Sequence, residues 1–145
     1  MIEIRIDGAD TAAQVLHGTL AAVDPALRAT GDELFGRIWE AADKHTKTGA
    51  MARSLKNSYR DREYRIWHDL QHAPHATFVH WGSKPHKISA KNRKALRFPV
   101  GGKFVFAKWV KHPGYKGDPY FVSEATPDEV LKIFNRFFDE EVARA

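Results

Sequence analysis

The chain contains no cysteine, which removes disulfides, thiolate metal ligands and cysteine nucleophiles together. It carries no carboxylate from Leu70 to Gly117. Paired-acid glycosidase chemistry and the acidic metal clusters of nucleases therefore have little to build on in the middle third. No stretch approaches the roughly 18 apolar residues of a membrane span, so no membrane partner is expected. The first residues, Met1 to Asp7, alternate isoleucine with charge and lack the continuous apolar run of a signal peptide. A product kept in a cytosol-like compartment is expected. No internal repeat or low-complexity linker interrupts the chain, and 145 residues fit one domain, 1–145, with room for a core.

What is present is unevenly placed. The net charge of +5 is modest. Yet Lys84, Lys87, Lys91, Arg93, Lys94, Arg97, Lys103, Lys108 and Lys111 follow one another without an acid, whereas the stretch from Glu124 onward is mostly acidic. Such asymmetry suits either a polyanion partner or head-to-tail packing of like subunits.

Ile2, Ile4 and Ile6 alternate with charged residues as a half-buried strand does, and Gly8 ends it. Thr11 and Gln14 offer a capping box for a helix carrying Val15, Leu16, Leu20 and Val23, which Pro25 breaks or restarts. A second helix is predicted from about Asp32 to His45, with Leu34, Phe35, Ile38, Trp39 and Ala42 on one face. Ala50 to Leu55 fits a short helix or a strand, with the helical reading preferred. Tyr64, Ile66 and His68 mark a strand, His72 to Pro74 a loop, and Ala76 to Trp81 either a helical turn or a strand edge.

Leu96–Val100 and Lys103–Val110 are β-prone runs joined by Gly101-Gly102, a hairpin signal because glycine takes positive φ at both central positions without steric cost. Both faces of the second run are largely apolar, which predicts a central strand or one covered on both sides. Thr126, Pro127 and Glu129 then announce a C-terminal helix, with Val130, Ile133, Phe134, Phe137, Phe138 and Val142 as its anchoring face. The expected fold is α+β: a small, mostly antiparallel sheet, two N-terminal helices and a C-terminal amphipathic helix.

Five of the eight histidines, His68, His72, His75, His80 and His86, fall close together. Imidazole is the commonest nitrogen ligand, but the spacing lacks the His-Glu-x-x-His pattern that aims two ligands from one helix face. Loop and surface histidines are the preferred reading, with no metal and no cofactor. His112 with Lys108 or Lys111 would be the candidate pair for a metal-independent RNase. The competing reading makes His112-Pro113-Gly114 a turn. Basic residues interleaved with Trp81, Phe98, Phe104, Phe106 and Trp109 invite a nucleic-acid surface, yet aromatics inside strands are more often core. No recognised nucleic-acid-binding signature is visible. Gly101-Gly102 lacks the Gly-Lys-Ser/Thr ending of a phosphate loop.

One ordered set of elements remains. Thr48-Gly49-Ala50-Met51-Ala52-Arg53-Ser54-Leu55 comes first, then Ala76-Thr77-Phe78-Val79-His80-Trp81-Gly82. Pro85-His86 with Ile88, Lys91, Ala95-Leu96-Arg97-Phe98, Val105-Phe106, His112-Pro113-Gly114 and Pro119-Tyr120-Phe121 follow. This order resembles a family of small bacteriophage virion proteins, the head–tail connector (neck), minor tail or tail-completion proteins of long-tailed phages. His80 stands where that family often has an acid, His75 where it has an aromatic, and Ser83 where it has threonine.

The resemblance implies a non-enzymatic subunit of the virion, assembled in the host cytoplasm. A ring of its own copies, six to suit the tail's symmetry, would touch connector, tail terminator or tail tube proteins. Non-specific DNA contact is the secondary partner expectation. A basic nucleic-acid-binding protein or a small metal-independent nuclease is the alternative function. The loops Ser83–Arg93 and Lys111–Pro119 are the natural contact elements, so Lys84, His86, Lys87, Lys108, Lys111, His112 and Tyr115 are the expected partner contacts. Gly82, Gly101, Gly102, Pro113 and Gly114 are the expected structural turns.

Overall fold

The structure is a computed structural model that describes residues 10–45 and 48–144, with side chains from residue 16 onward. The N-terminal strand expected at Ile2, Ile4 and Ile6 lies outside the described residues, as do the side chains of the Thr11–Gln14 capping box. In chain order the elements are α1 (Asp10–Asp43), α2 (Ala50–Ser54), β1 (Leu55–Arg60), β2 (Glu63–His68), α3 (Ala76–Trp81), β3 (His86–Ser89), β4 (Leu96–Val100), β5 (Lys103–Ala107), β6 (Trp109–His112), α4 (Tyr120–Glu124) and α5 (Pro127–Arg144). The class is α+β, as expected. Among the described residues the strands form three two-stranded antiparallel ladders, β1–β2, β3–β6 and β4–β5, rather than one sheet. The chain divides into two compact units, Met1–Ala73 with Tyr120–Ala145, and Pro74–Pro119.

In the first unit, the two expected N-terminal helices are one. α1 runs 34 residues through Pro25. An interior proline costs about 3 kcal/mol, through the lost bond to the carbonyl four residues back and the ring's clash with that carbonyl. Here Pro25 and Ala21 both face solvent, so water can satisfy that carbonyl. The opposite face holds the helix together. Ala22, Ala26, Thr30, Leu34, Ile38, Ala41 and Ala42 form an unbroken buried stripe across the proline. The Thr30 hydroxyl donates to the Ala26 carbonyl at 2.7 Å, so no buried polar group is left unmet there. Trp39, expected on this face, is exposed, because it lies between Ile38 and the solvent side.

α5 packs against α1. Thr126 accepts the Glu129 amide proton at its hydroxyl and the Val130 amide proton at its carbonyl, the N-cap expected from sequence. The anchoring face is weaker than its composition promised. Ile133 is buried, Phe134, Phe137 and Phe138 are half-buried, and Val142 is exposed. The facing stripe of α1 is mostly alanine, too shallow to enclose rings from both sides.

Charge adds to this contact. Arg37 donates to Glu33 at 2.7 Å and to Glu129 of α5 at 3.1 Å, and Arg136 of α5 closes back on Glu33. Burial works to raise the Glu33 pKa, but hydrogen bonds from Arg37 and Arg136 outweigh it and hold the carboxyl below its ordinary value of 4.5. Since the folded value is the lower one, the stabilisation is fully present above pH 4.5 and is lost as pH falls through the folded value. Glu33→Gln should flatten the acid limb of thermal midpoint against pH. An acid limb as steep as the parent's would remove Glu33 from this role.

The β1–β2 hairpin turns at Asp61-Arg62, both with positive φ (52° and 61°), the type I′ geometry usually given to Asn-Gly. The hairpin is tied to α1 by Tyr59, which donates to Asp24 at 2.8 Å, and by Tyr64, which donates to Asp32 at 2.6 Å. Asn57 donates to the Tyr64 oxygen at 2.6 Å. Burial and the Asp32 bond push the Tyr64 pKa up to about 12. Its ring lies against the buried backbone of Gly31, where any β-carbon would overlap ring carbons.

In the second unit, β4 and β5 form the expected hairpin. Val100 pairs with Lys103 around Gly101 and Gly102, whose φ angles are 55° and 79°. The second run stops at Ala107, however, and β6 pairs instead with β3, matching His86 with His112 and Ser89 with Trp109. Ser83 and Tyr115 continue that register with a two-bond bridge of 2.7 and 2.9 Å. The two ladders are thus successive stretches of one two-stranded arm from Ser83 to Tyr115. The register shifts by five residues at the excursion Lys91–Ala95.

Candidate functional site

The arm draws together the residues read from sequence as partner contacts. His86, Lys87, Lys111 and His112 lie directly opposite one another in the β3–β6 ladder, with Lys84 and Tyr115 beside them at the arm's base. Lys108 sits at the bend between β5 and β6, its carbonyl accepting the Ala90 amide proton at 3.2 Å. The two loops expected to flank a scaffold each contribute a short paired stretch, His86–Ser89 and Lys111–His112, and are otherwise without strand structure.

Backbone geometry explains why glycines recur at its base. Gly82 and Gly114 have φ of 83° and 86°, and a β-carbon on either would strike the backbone of the facing strand. Gly117, with φ of 84°, packs equally tightly against Trp81 and Gly82 and was not singled out by its sequence context. Gly101 and Gly102, at the tip, face open space, so they serve the turn alone. Gly114 donates its amide proton to His112 Nδ1 at 3.1 Å, which closes the His112-Pro113-Gly114 turn. His112 Nδ1 is thereby an acceptor.

The strand expected to be covered on both sides is not. Phe104 is 57% exposed, Phe106 66% and Trp109 54%. Periodicity says which side chains share a face, but not whether anything lies against it. Pairing places Phe104 and Phe106 with Arg97 and Pro99 on one face of the hairpin, and Leu96, Phe98, Val105 and Ala107 on the other. The latter face is partly covered; the former is open. The Arg97 guanidinium lies 3.7 Å from the Phe104 ring centre, and the Lys87 ammonium 4.5 Å from a Trp109 ring centre. An open groove lined by Phe78, Gly82, Ser83, Lys84 and His86 lies at the base of the arm.

The electrostatics are one-sided. Residues 74–119 hold ten lysines and arginines against one acid, Asp118, while the rest of the chain holds thirteen against seventeen. Among the described residues, no ion pair involves any of those ten basic side chains. Lys87 and Lys111 stand opposite each other in register, an arrangement that destabilises an isolated ladder.

The histidines serve separate roles. His86 and His112 rings face each other with centres 4.9 Å apart. His72 bonds Asp69 at 2.6 Å, and His80 is buried on α3, where burial lowers its pKa against the opposing pull of Asp118. Among the described residues, no three histidine or acidic side chains converge as a metal site would require.

His68 belongs to a hydrogen-bond chain in the first unit that sequence reasoning missed. Ser54 donates to the Met51 carbonyl at 2.7 Å, so it can only accept from His68 Nδ1, also at 2.7 Å. His68 Nε2 then accepts from the Tyr120 hydroxyl at 2.5 Å. A serine beside a histidine is the geometry of an activated nucleophile. Ser54 is fully buried, however, and its proton is committed to Met51, so the chain works as an internal tie among α2, β2 and α4.

Compared with known proteins, the chain matches no protein-family model, no curated protein and no solved structure.

Proposed function

We propose that this chain is a non-enzymatic structural subunit of a long-tailed phage. It acts at the head–tail junction or in tail completion, as one member of a ring, with connector, tail terminator or tail tube proteins as neighbours. The observation that carries the reading is the arm: a two-stranded, basic element whose Phe104, Phe106 and Trp109 remain open. A lone two-stranded hairpin is marginal in water, and clustered exposed aromatics mark surfaces that meet a partner. The ordered motifs from Thr48 to Phe121 supply the kind of assembly. A ring of six would suit tail symmetry, and localisation in the virion follows from the same reading.

The ten unpaired basic residues favour a second reading, a nucleic-acid-facing surface. Arg97 and Lys87 already cover one face each of Phe104 and Trp109, which lowers their value as stacking platforms. The deciding experiment is electron microscopy of particles assembled without the protein. Tailless heads, or heads and tails left unjoined, are expected; intact infectious particles would overturn the proposal. Nuclease assays with and without EDTA address the alternative directly.

A further inference from the structure

We infer that copies of this chain join head to tail, the outer stripe of α5 in one copy seating on the Lys87–Trp109–Lys111 face of the arm in the next. This deepens the assembly reading by naming its contact surfaces.

The arm supplies one half. Side chains paired in an antiparallel ladder share a face, so Lys87, Lys111 and Trp109 project together. Two ammonium groups opposite each other, beside a half-exposed indole, leave like charges facing with no acid between them. An acidic, partly apolar surface would relieve that repulsion and cover the ring.

α5 supplies the other half. At 100° per residue, Asp128, Leu131, Asn135, Asp139 and Val142 fall on one stripe, opposite the buried Ile133. Leu131 is 57% exposed and Val142 41%. The neighbouring acids are already engaged, Glu129 by Arg37 and Lys132, and Glu140 and Glu141 by Arg144. Among the described residues, Asp128 and Asp139 enter no ion pair. Two uncommitted acids, with Leu131 between them and Val142 just beyond, thus complement an indole set beside two lysines. Because the two patches are different surfaces, each copy has one of each to offer. Such a heterologous contact propagates into a ring or an open filament.

The test uses the full chain and sedimentation velocity at low and raised salt. The parent is expected to self-associate and to dissociate as salt rises. Lys87→Glu with Lys111→Glu, and separately Asp128→Lys with Asp139→Lys, should each weaken association at least tenfold. An equimolar mixture of the two variants should associate again, since every junction between unlike variants is either the native pair or its charge-reversed image. Misfolded variants would not complement, so recovery also reports on folding. A parent that stays monomeric throughout the accessible concentration range, variants that associate like the parent, or a mixture that stays apart would each overturn the inference. If the lysine variant keeps its association and loses binding to a DNA duplex instead, the face belongs to nucleic acid and the inference falls. These outcomes are independent of the particle experiment, which can fail while copies still join as described.

Discussion

Gly31→Ala should destabilise the protein by about 3 kcal/mol, a fall in thermal midpoint of roughly 6–12 °C for a chain of this length. The expectation runs against the usual rule, since alanine in a helix interior ordinarily gains about 1 kcal/mol over glycine. The difference is Tyr64. Its ring lies against the Gly31 backbone, and the new β-carbon would overlap ring carbons. The ring is not free to swing aside, because its hydroxyl donates to Asp32 and accepts from Asn57, each at 2.6 Å. Moving it forfeits both bonds, about 1 kcal/mol apiece, and reopens the seam between the β1–β2 hairpin and α1. Chemical denaturation of three proteins tests this: parent, Gly31→Ala, and Gly31→Ala with Tyr64→Ala. The double variant should be more stable than Gly31→Ala alone, a coupling that distant sites would not show. A stabilised Gly31→Ala would mean that the ring has room to move.

The second large effect is expected at Gly114. With φ of 86° and the Ser83 carbonyl directly in the path of a β-carbon, alanine there meets both backbone strain and overlap. The left-handed conformation alone costs about 1–2 kcal/mol for a residue with a side chain. Overlap with backbone, which cannot rotate away as a side chain would, brings the total to about 3 kcal/mol. The two bonds between Ser83 and Tyr115 should open, and with them the start of the β3–β6 ladder. Hydrogen exchange at the Ser83 and Tyr115 amides should rise sharply while α1 keeps its protection. Gly101→Asn is the control. Gly101 has positive φ but open space around it, and asparagine tolerates that conformation. Equal losses at both positions would show that conformation alone, and not the crowded arm base, sets the cost.

Local chemistry in the sequence was informative wherever it was self-contained. Thr126 and Pro127 define the start of α5 through groups within four residues of each other, and Gly101-Gly102 defines the β4–β5 tip in the same way. The β1–β2 turn was illegible because Arg62 is a poor candidate for positive φ, and the Asp24 carboxylate near Arg62 at 3.6 Å is far off in sequence. The β3–β6 pairing was hidden by the Lys91–Ala95 excursion. Counting outward from the tip pairs His86 with Gly117 rather than with His112. α1 crosses Pro25 because of burial on the far side of the helix, which no local signal reports.

The candidate contact residues were found as a basic, glycine-punctuated segment, but the exposure of their aromatic neighbours was misread. An alternating run has the same pattern whether it lies in a covered sheet or in a free arm. The Ser54–His68–Tyr120 tie joins residues up to 66 positions apart and carries no motif.

The interposition of residues 74–119 between Ala73 and Tyr120 orders the chain's synthesis. α1 is complete 83 residues before α5 begins, at residues 43 and 127. At about 5–20 residues per second, its packing stripe waits roughly 4–17 s for its partner helix. A stripe of leucine and phenylalanine would spend those seconds as an adhesive surface. One made chiefly of alanine, with Thr30 bonded to its own helix, presents little to adhere to. The arm needs no such delay, since hairpins close in about 1–10 μs. It is finished while the body of the protein still lacks its last helix, and the shallow α1–α5 contact is what makes that wait safe.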